Sequence, residues 1–514
     1  MFRSRAFYGQ LLLIYLLLPG FSKPALSQTK PSGNINLSHI ETSIDRGKLQ
    51  EVETPLIDYA IAHPNDARAL ELLGKLRYRQ HRLEEAQSLY QRVLVLNPSL
   101  TRAKINLGRL TYELGQREQA RRLLAEIDIT SAVKLDDRLA LAKALVLTGE
   151  FQKALAVTEA LPNVVRNGAA LPLRAAIFIG LGQRQRLVDL APSIRRAAVS
   201  NAQVAAEVAE VFQAAGMFRE AGDLLRLALP RAPNNFRLLV LLGQIEVHLG
   251  NLVDARRHLN RAVKLEPNEA TSLFAFGLLE SAERNYEAAL SNFKQAHALA
   301  SDSTPILVQL VVNAMRANRT QIAVDAANKL LQLKPDDSEF LYLLGAASLQ
   351  HGSLTAAQNA LERYTVQRPD DPRACLALGI TFARQHEKNE QAKRQFEKCL
   401  KLDPTNVEAR YQMGLILKSE GDVEKAISMF EEATRGDSQH ANVLRDLGSL
   451  YLQTGAELKA REVLERAVAL NAEDPETHFL LSRLYNLIGE SSLAKQHLAL
   501  FQKIKGQREK LSSP

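Results

Sequence analysis

The 514-residue sequence contains no tryptophan and only two cysteines, and aromatic side chains make up 6% of it. It also lacks the signatures GxxxxGK, G-x-S-x-G and H-E-x-x-H and any clustered Cys/His spacing. The eleven histidines are scattered singly, and the closest pair expected to be folded, His248 and His258, lies on two different predicted helices. These absences predict a protein without an enzymatic site, without a bound metal ion and without a cofactor.

The chain also has little excess of positive over negative charge. The 65 Lys and Arg residues nearly balance the 57 Asp and Glu residues, which leaves a net charge of +8. A nucleic-acid-binding protein normally concentrates more basic charge on one face, so nucleic acid is not an expected partner. An apolar content of 46% and a charged content of 24% are those of an ordinary folded chain.

The first 27 residues have the pattern of a secretory signal peptide. Arg3 and Arg5 form a basic start, residues 11–18 are a short apolar run, and residues 25–27 (ALS) offer a cleavage point. An uncleaved amino-terminal anchor is the alternative, although the run is shorter than the roughly 20 residues that span a bilayer. No later stretch approaches that length, so no membrane span is expected after cleavage.

Glycines recur inside predicted helices at separations of 34 residues or multiples of 34, within one residue. These positions are Gly74, Gly108, Gly243, Gly277, Gly345, Gly379, Gly414 and Gly448. An alanine follows most of them twelve residues later, as at Ala86, Ala255 and Ala289. Glycine inside a helix costs on the order of 1 kcal/mol relative to alanine, so it is tolerated where a second helix approaches closely. Each unit is therefore predicted to be an antiparallel helical hairpin, with the alanine packed against the glycine.

Two further periodic features mark the helix ends. A second glycine recurs at Gly115, Gly250, Gly352, Gly421 and Gly455, and it suits the left-handed position that ends the first helix. Prolines at 98, 233, 267, 335 and 369 prevent the second helix from continuing.

This pattern resembles the tetratricopeptide repeat family. The best-matching unit is 67–100, in which Leu73-Gly74, Tyr78, Ala86, Tyr90 and Pro98 fit the family pattern. The resemblance implies an all-α, right-handed superhelical solenoid of about thirteen stacked helix-turn-helix units.

The repeat frame predicts a flexible linker at 28–35, the solenoid at 36–505 and a disordered tail at 506–514. Ten units follow the frame closely: 67–100, 101–134, 202–235, 236–269, 270–303, 304–337, 338–371, 372–406, 407–440 and 441–474. The frame is degenerate at 36–66 and 135–201, and residues 475–505 are predicted to cap the array. A one-residue insertion within 385–391 predicts a longer turn.

The resemblance also implies that successive first helices line a concave groove with positions 2, 5, 9, 12 and 13 of each unit. In the early units these positions are basic and aromatic: Arg68, Lys75, Tyr78, Arg79, Arg102, Arg109 and Tyr112. In the middle units they are apolar: Val240, Phe274, Leu278, Val308, Val312 and Tyr342. The alternatives are a solvated charged face for the early set and burial by neighbouring helices for the middle set.

The family resemblance implies a non-enzymatic scaffold that binds a protein or peptide partner. The signal pattern places it in the periplasm or cell envelope of a bacterium, with secretion as the second choice, and an envelope assembly is the expected setting. The alternative is an accessory protein of polysaccharide export or binding, which contacts an acidic glycan through the basic early groove.

Cys375 and Cys399 lie on the first and second predicted helices of one unit. Export to an oxidising compartment would allow a disulfide between them, stabilising the protein by roughly 3 kcal/mol. The interpretation we prefer is two buried thiols that fill core positions. A Cα–Cα distance above about 7 Å would exclude the disulfide.

Overall fold

The computed structural model describes residues 35–129, 134–385, 387–436 and 439–512. Over these ranges the regular structure is helical and contains no strand. The predicted signal peptide, nearly all of the predicted linker and residues 513–514 lie outside the described residues. The chain divides into two compact units, unit 1 ending at Pro267 and unit 2 beginning at Asn268.

Consecutive helices of unit 1 pair into hairpins, apart from the four-residue helix Asn163–Arg166, and a 3-10 turn (Leu229–Arg231) follows the helix that ends at Ala228. Its helices are α1 (Leu37–Asp45), α2 (Leu49–Ala62), α3 (Ala67–Arg79), α4 (Leu83–Leu96), α5 (Thr101–Glu113), α6 (Arg117–Ala125), α7 (Leu135–Leu147), α8 (Phe151–Glu159), α9 (Asn163–Arg166), α10 (Leu171–Gly180), α11 (Arg184–Ser200), α12 (Ala202–Ala214), α13 (Phe218–Ala228), α14 (Phe236–His248) and α15 (Leu252–Leu265).

Unit 2 repeats the same hairpin throughout. Its helices are α16 (Ala270–Ala282), α17 (Tyr286–Leu299), α18 (Thr304–Arg316), α19 (Thr320–Leu333), α20 (Ser338–His351), α21 (Leu354–Gln367), α22 (Pro372–Ala383), α23 (Asn389–Leu402), α24 (Val407–Ser419), α25 (Val423–Gly436), α26 (Ala441–Gln453), α27 (Glu457–Leu470), α28 (Pro475–Leu487) and α29 (Ser491–Ser512). Within each unit every hairpin packs on the next one along the chain. The predicted all-α solenoid of stacked helix-turn-helix units is confirmed.

The glycines inside the first helices make room for a large side chain of the second helix. A Cβ placed on Gly277 would lie 2.4 Å from Cε1 of Phe293, and one on Gly243 would lie 2.5 Å from Cδ2 of Leu259. Both large residues come sixteen positions after the glycine, one helical turn beyond the alanine that was expected to be the partner. The atoms nearest to the added Cβ therefore belong to a large side chain and not to the methyl group of the predicted alanine.

The turn glycines adopt the predicted left-handed conformation. All five have positive φ, with values between 73° and 88°. Three hairpins without a glycine here place another residue in the left-handed region, namely His81, Arg284 and Asn318. The repeat therefore keeps the turn geometry where the sequence signal is lost.

The region 135–201 also keeps the architecture despite its weak pattern. It contains two hairpins, α7–α8 and α10–α11, separated by the short helix α9. Ala142 and Ala175, which replace the expected glycines, are fully buried. The insertion at 385–391 is accommodated as predicted, since five residues separate α22 from α23 whereas three separate α14 from α15.

The last helix continues beyond the predicted end of the solenoid. Residues 506–512 were expected to be disordered, yet α29 extends to Ser512. Gly506 costs on the order of 1 kcal/mol in a helix, and the following Gln, Arg, Glu, Lys and Leu favour helix. Arg508 Nη2 also donates a hydrogen bond to the carbonyl oxygen of Glu473 at 2.8 Å. None of the described helices is both long enough and apolar enough to cross a bilayer.

A disulfide joins Cys375 in α22 to Cys399 in α23. Antiparallel packing brings the start of the first helix beside the end of the second, and the two Cα atoms lie 5.6 Å apart. Both residues are almost completely buried. The preferred interpretation of two free thiols is thus replaced by the bonded alternative.

The last hairpin contains a pair of hydrogen-bonded histidines. His478 Nε2 lies 3.0 Å from the carbonyl oxygen of Ala472, so this nitrogen donates, and Nδ1 of His478 is assigned as an acceptor. His497 Nδ1 lies 2.8 Å from it and must donate. Burial, reinforced by the neighbouring His478, lowers the pKa of His497, while Glu465 opposes this shift.

Acidification is expected to loosen the hairpin α28–α29. A histidine whose pKa is lower in the folded state stabilises the fold above its ordinary pKa of 6.5, and this contribution is lost as the pH falls below that value. Amide exchange in this hairpin, corrected for intrinsic rates, should accelerate between about pH 7.5 and about pH 5.5. A His497→Gln variant, whose amide can still donate to His478, should show a smaller change. An equal change in both proteins would contradict the assignment.

Candidate partner-binding cleft

Unit 1 has a cleft of about 430 Å³ between the first helices of neighbouring hairpins. Residues of α1, α3, α4, α5 and α7 line it: Glu41, Glu71, Leu72, Lys75, Tyr78, Arg79, Tyr90, Arg102, Ile105, Asn106, Arg109, Asp136, Asp137 and Ala140. Five of the seven predicted early-groove residues are among them: Lys75, Tyr78, Arg79, Arg102 and Arg109. The frame thus identified the face of the helices that forms this cleft.

Helix α3 forms one wall of the cleft, and two local sequence features determine how this wall is built. Asp66 precedes this helix, and its Oδ1 accepts hydrogen bonds from the backbone N–H groups of Arg68 at 2.9 Å and Ala69 at 3.1 Å. Such capping satisfies donors that the first turn leaves free. Further along, a Cβ on Gly74 would lie 3.1 Å from the ring of Tyr90. The glycine therefore lets Tyr90 of α4 reach the base of the cleft.

The cleft is charge-balanced rather than basic. Its four cationic side chains, Lys75, Arg79, Arg102 and Arg109, face four carboxylates, those of Glu41, Glu71, Asp136 and Asp137. The predicted basic groove is therefore wrong in its charge. Glu71 occupies a groove position of its unit, and the other three acids come from the degenerate units 36–66 and 135–201. Extending the repeat frame would have found Asp136, at the second position of the unit that begins at 135, but not Asp137, at the third.

Several of the predicted cations are engaged by these acids. Arg102 Nη1 lies 3.1 Å from Glu41 Oε1, and its Nε lies 2.9 Å from Asp137 Oδ1. Burial acts to lower the pKa of Arg102, but its bond to Asp137 and the nearby Glu71 and Glu41 raise it overall. Lys75 Nζ lies 3.9 Å from Glu41 Oε1 and 2.7 Å from Oδ1 of Asp45, an acid of α1 outside the cleft lining. These pairs hold the first helices together and leave fewer charges for a ligand.

Arg109 is one of two cations of this cleft that have no acidic partner among the described residues. Its Nε is shielded from solvent and has no hydrogen-bond partner, and the described residues supply neither Arg109 nor Arg79 with an ion-pair partner. Tyr78 lies beside them, and its hydroxyl donates to Glu113 at 2.7 Å. Burial, with this bond, raises the pKa of Tyr78. An unmatched guanidinium beside a neutral phenol favours an incoming oxygen acceptor.

The remaining two early residues stand outside the cleft lining. Arg68 binds Glu71 at 2.8 Å and also contacts Glu41, so it neutralises two acids from the rim. The ring of Tyr112 lies beneath the guanidinium of Arg117 at 5.9 Å. Their predicted contact with a partner stays a prediction.

The predicted apolar middle groove is less open than expected. Val240 belongs to unit 1 and is buried, with 5% of its surface exposed, so it cannot contact a partner as expected. In unit 2, Phe274, Leu278 and Val308 are half-buried against the core, and Val312 is half-buried as well. The frame gave the direction of these side chains but not how closely the next helix covers them.

Tyr342 is covered by a charged side chain. The Arg373 guanidinium lies 4.9 Å from its ring centroid, and Arg373 also binds Glu339 at 3.1 Å and Asp371 at 2.7 Å. Hydrogen bonds from Arg373 lower the pKa of Asp371 to about 2. Burial raises the pKa of Tyr342 itself. Arg373 would have to move before a ligand could stack on this ring.

Two exposed apolar side chains of α28 were missed. Phe479 is 41% exposed and Leu487 is 61% exposed, and they occupy the fifth and thirteenth positions of the unit that begins at Pro475. These are groove positions, whereas the sequence predicts only a cap for residues 475–505. The ring of Phe479 packs 5.3 Å from that of Phe501 in α29.

Comparison with known proteins gives one consistent match. A profile described as tetratricopeptide repeat matches residues 77–131, 212–274 and 417–484. Three further profiles of the same description match residues 308–372, 372–406 and 396–428. Together they cover more than half of the chain.

Individual relatives are distant. BBSome complex member BBS4 of Bos taurus is 22% identical over 223 residues, 43% of this chain and 43% of that protein. Type IV pilus assembly protein PilF of Pseudomonas aeruginosa is 26% identical over 175 residues, 34% of this chain and 69% of that protein. A solved tetratricopeptide repeat protein from Parabacteroides merdae is 18% identical, covering 52% of this chain and 98% of that chain, with a TM-score of 0.42. The chain spans less than half the length of the first curated relatives that it matches.

Proposed function

Since the chain belongs to the tetratricopeptide repeat family, we propose that it is a non-enzymatic scaffold whose cleft between α3 and α5 binds an extended peptide segment of a protein partner. Proteins of this family generally mediate protein–protein interactions. The observation that carries the proposal is Arg109, whose shielded Nε has no partner although Lys75 and Arg102 of the same cleft are paired with acids. A buried donor without a partner costs about 1–3 kcal/mol, and a ligand acceptor would recover that cost.

The lining specifies what kind of segment fits. Arg109 and Arg79 suit an acidic side chain or a backbone carbonyl, and the amide of Asn106 can pair with peptide backbone. Leu72 and Ile105 add apolar surface between the charged groups. Asp136 and Glu71 would repel a ligand that carries many negative charges. The site therefore favours a peptide of mixed charge over a polyanion, which weighs against the acidic-glycan alternative.

We also propose that this scaffold acts after export, within an assembly of the bacterial cell envelope, with secretion as the second choice. Three observations support this setting. The first 27 residues follow the signal-peptide pattern, a disulfide joins Cys375 to Cys399, and one relative is named for type IV pilus assembly. Structural disulfides persist mainly in oxidising compartments. Amino-terminal sequencing of the protein from periplasmic and membrane fractions tests the setting, and an intact amino terminus in the cytoplasm would contradict it.

Peptide selection tests the cleft directly. A random-peptide phage library selected on the immobilised protein should yield segments with an acidic residue near an apolar one. Arg109→Gln is expected to weaken binding of the selected peptide by about tenfold, because one charge-assisted hydrogen bond is lost. The matched control is Arg122→Gln, an exposed arginine of α6 that does not line the cleft.

Two outcomes would contradict the proposal. In the first, Arg109→Gln and Arg122→Gln bind the selected peptide equally well. In the second, calorimetry shows that a uronic-acid polymer binds more tightly than the peptide and that Arg102→Ala or Arg109→Ala abolishes this binding. The second outcome would favour the polysaccharide accessory role instead.

A further inference from the structure

Unit 1 has a second cleft, of about 320 Å³, that is separate from the one between α3 and α5. The end of α13, the 3-10 turn after it, and helices α14 and α15 form it. Its lining residues are Arg226, Leu229, Pro230, Pro233, Leu242, Glu246, Asp254, Arg257, His258 and Arg261. Three guanidinium groups and a histidine therefore share a small space with apolar walls.

A buried carboxylate and a histidine lie in the lining of this cleft. Glu246 is 2% exposed and His258 is 7% exposed, and His258 Nδ1 lies 2.7 Å from Glu246 Oε2. The carboxylate only accepts, so Nδ1 carries the proton. His248, the other histidine of this hairpin, stacks instead on Phe218 with 4.5 Å between ring centroids. The two histidines that are neighbours in sequence therefore have separate surroundings.

The arrangement differs from the bridges that three other buried polar residues make between hairpins. Arg77, Tyr451 and Tyr485 occupy the same position of their repeats as Glu246. Each makes a short bond to the preceding hairpin: Arg77 to Glu53 at 2.5 Å, Tyr451 to Glu431 at 2.5 Å and Tyr485 to Glu465 at 2.8 Å. The corresponding partner of Glu246 is Arg226, whose Nε stands 3.9 Å away. This ion pair is longer than the three bridges, and both of its residues line a cleft.

Each of the three arginines is oriented by one short contact that engages only part of its guanidinium group. Arg226 Nη1 lies 2.8 Å from Asp223, Arg257 Nη2 lies 2.8 Å from Asp254, and Arg261 Nη2 donates to the carbonyl oxygen of Pro233 at 2.7 Å. Each guanidinium has five N–H donors, so one anchored edge leaves others for a ligand. Two carboxylates line this cleft against three guanidiniums, whereas cations and acids are equal in number in the first cleft.

We propose that this second cleft binds a compact oxyanion of the phosphate type. The guanidinium fork matches two oxygens of a phosphate group, and the apolar walls formed by Leu229, Leu242 and the two prolines strengthen such charge-assisted bonds. The Glu246–His258 contact holds the imidazole in the lining of the cleft, beside the three guanidinium groups. The proposal does not depend on peptide binding in the first cleft.

Titration with inorganic phosphate at constant ionic strength tests the site. The imidazole C–H resonances of His258, assigned by their loss in His258→Gln, should shift saturably, and calorimetry should give the same dissociation constant. The double variant Arg257→Gln/Arg261→Gln is expected to raise that constant by at least about tenfold. The matched control Arg195→Gln/Arg196→Gln, which removes two exposed arginines of α11 outside the cleft, should leave it unchanged.

The source of the phosphate group is distinguished by a second titration with O-phosphoserine. Equal affinity for both probes would indicate a site for free phosphate, and tighter binding of O-phosphoserine would indicate a phosphate carried by a larger molecule. Either result supports the oxyanion site. The absence of a saturable His258 shift with both probes, or an equal loss of affinity in the control variant, would overturn it and leave Glu246–His258 as a purely structural pair.

Discussion

Replacing Gly277 by alanine is expected to destabilise unit 2 by about 1–3 kcal/mol, although alanine is the better helix former. The added Cβ would lie 2.4 Å from Cε1 of Phe293, and that ring is completely buried, so it has little room to retreat. The steric cost must exceed the gain of on the order of 1 kcal/mol that alanine brings to a helix interior. Chemical denaturation followed by circular dichroism measures the difference.

Gly506→Ala is the matched control, because it makes the same substitution in a helix where no heavy atom lies within 4 Å of the new Cβ. It should stabilise α29 by up to about 1 kcal/mol, since only the helix propensity changes. Opposite signs for the two variants would establish close packing as the reason for the internal glycines. A stabilising Gly277→Ala would contradict it.

Removing the disulfide is expected to lower the stability of unit 2 by roughly 3 kcal/mol. The bond links residues 24 positions apart, and breaking it returns conformational freedom mainly to the unfolded chain. The double variant Cys375→Ala/Cys399→Ala tests this, because alanine avoids placing a new polar group in the core. The measurement is the denaturant midpoint of unit 2, together with amide exchange in α22 and α23.

Reduction supplies the control for this second prediction. A reducing agent should move the midpoint of the unmodified protein toward that of the double variant and should leave the variant unchanged. A variant as stable as the oxidised protein would show that the bond contributes nothing beyond the packing of two buried side chains.

The periodic spacing of glycines predicted the fold because these positions are set by the backbone geometry of the helices and turns. The 34-residue interval fixed the hairpins, and the second glycine fixed the turn, as at Gly250 and Gly352. The spacing could not identify the side chain that fills the space beside Gly277, since Ala289 and Phe293 lie on the same face of α17. Which of the two reaches the glycine depends on side-chain length and on the distance between helices.

The candidate site was only partly predictable for a related reason. The repeat frame gave the lining face of α3 and α5, but the charge of the cleft depends also on α1 and α7, where the frame is weak. Arg109 has no acidic partner because Glu41 and Asp137 pair with Arg102 instead. This pairing depends on distances between side chains, which the spacing of residues in the sequence does not specify. Likewise, Arg373 covers Tyr342 from the next hairpin, and the repeat pattern of a single unit does not predict such a contact.

The disulfide between α22 and α23 has a consequence for biosynthesis. The chain contains no other cysteine, and both partners belong to one short hairpin. Oxidation therefore has a single intramolecular outcome and requires no segment from elsewhere in the protein, so isomerase proofreading is unnecessary. The one incorrect disulfide that could still form would link two newly made chains. Rapid folding of the hairpin would prevent it.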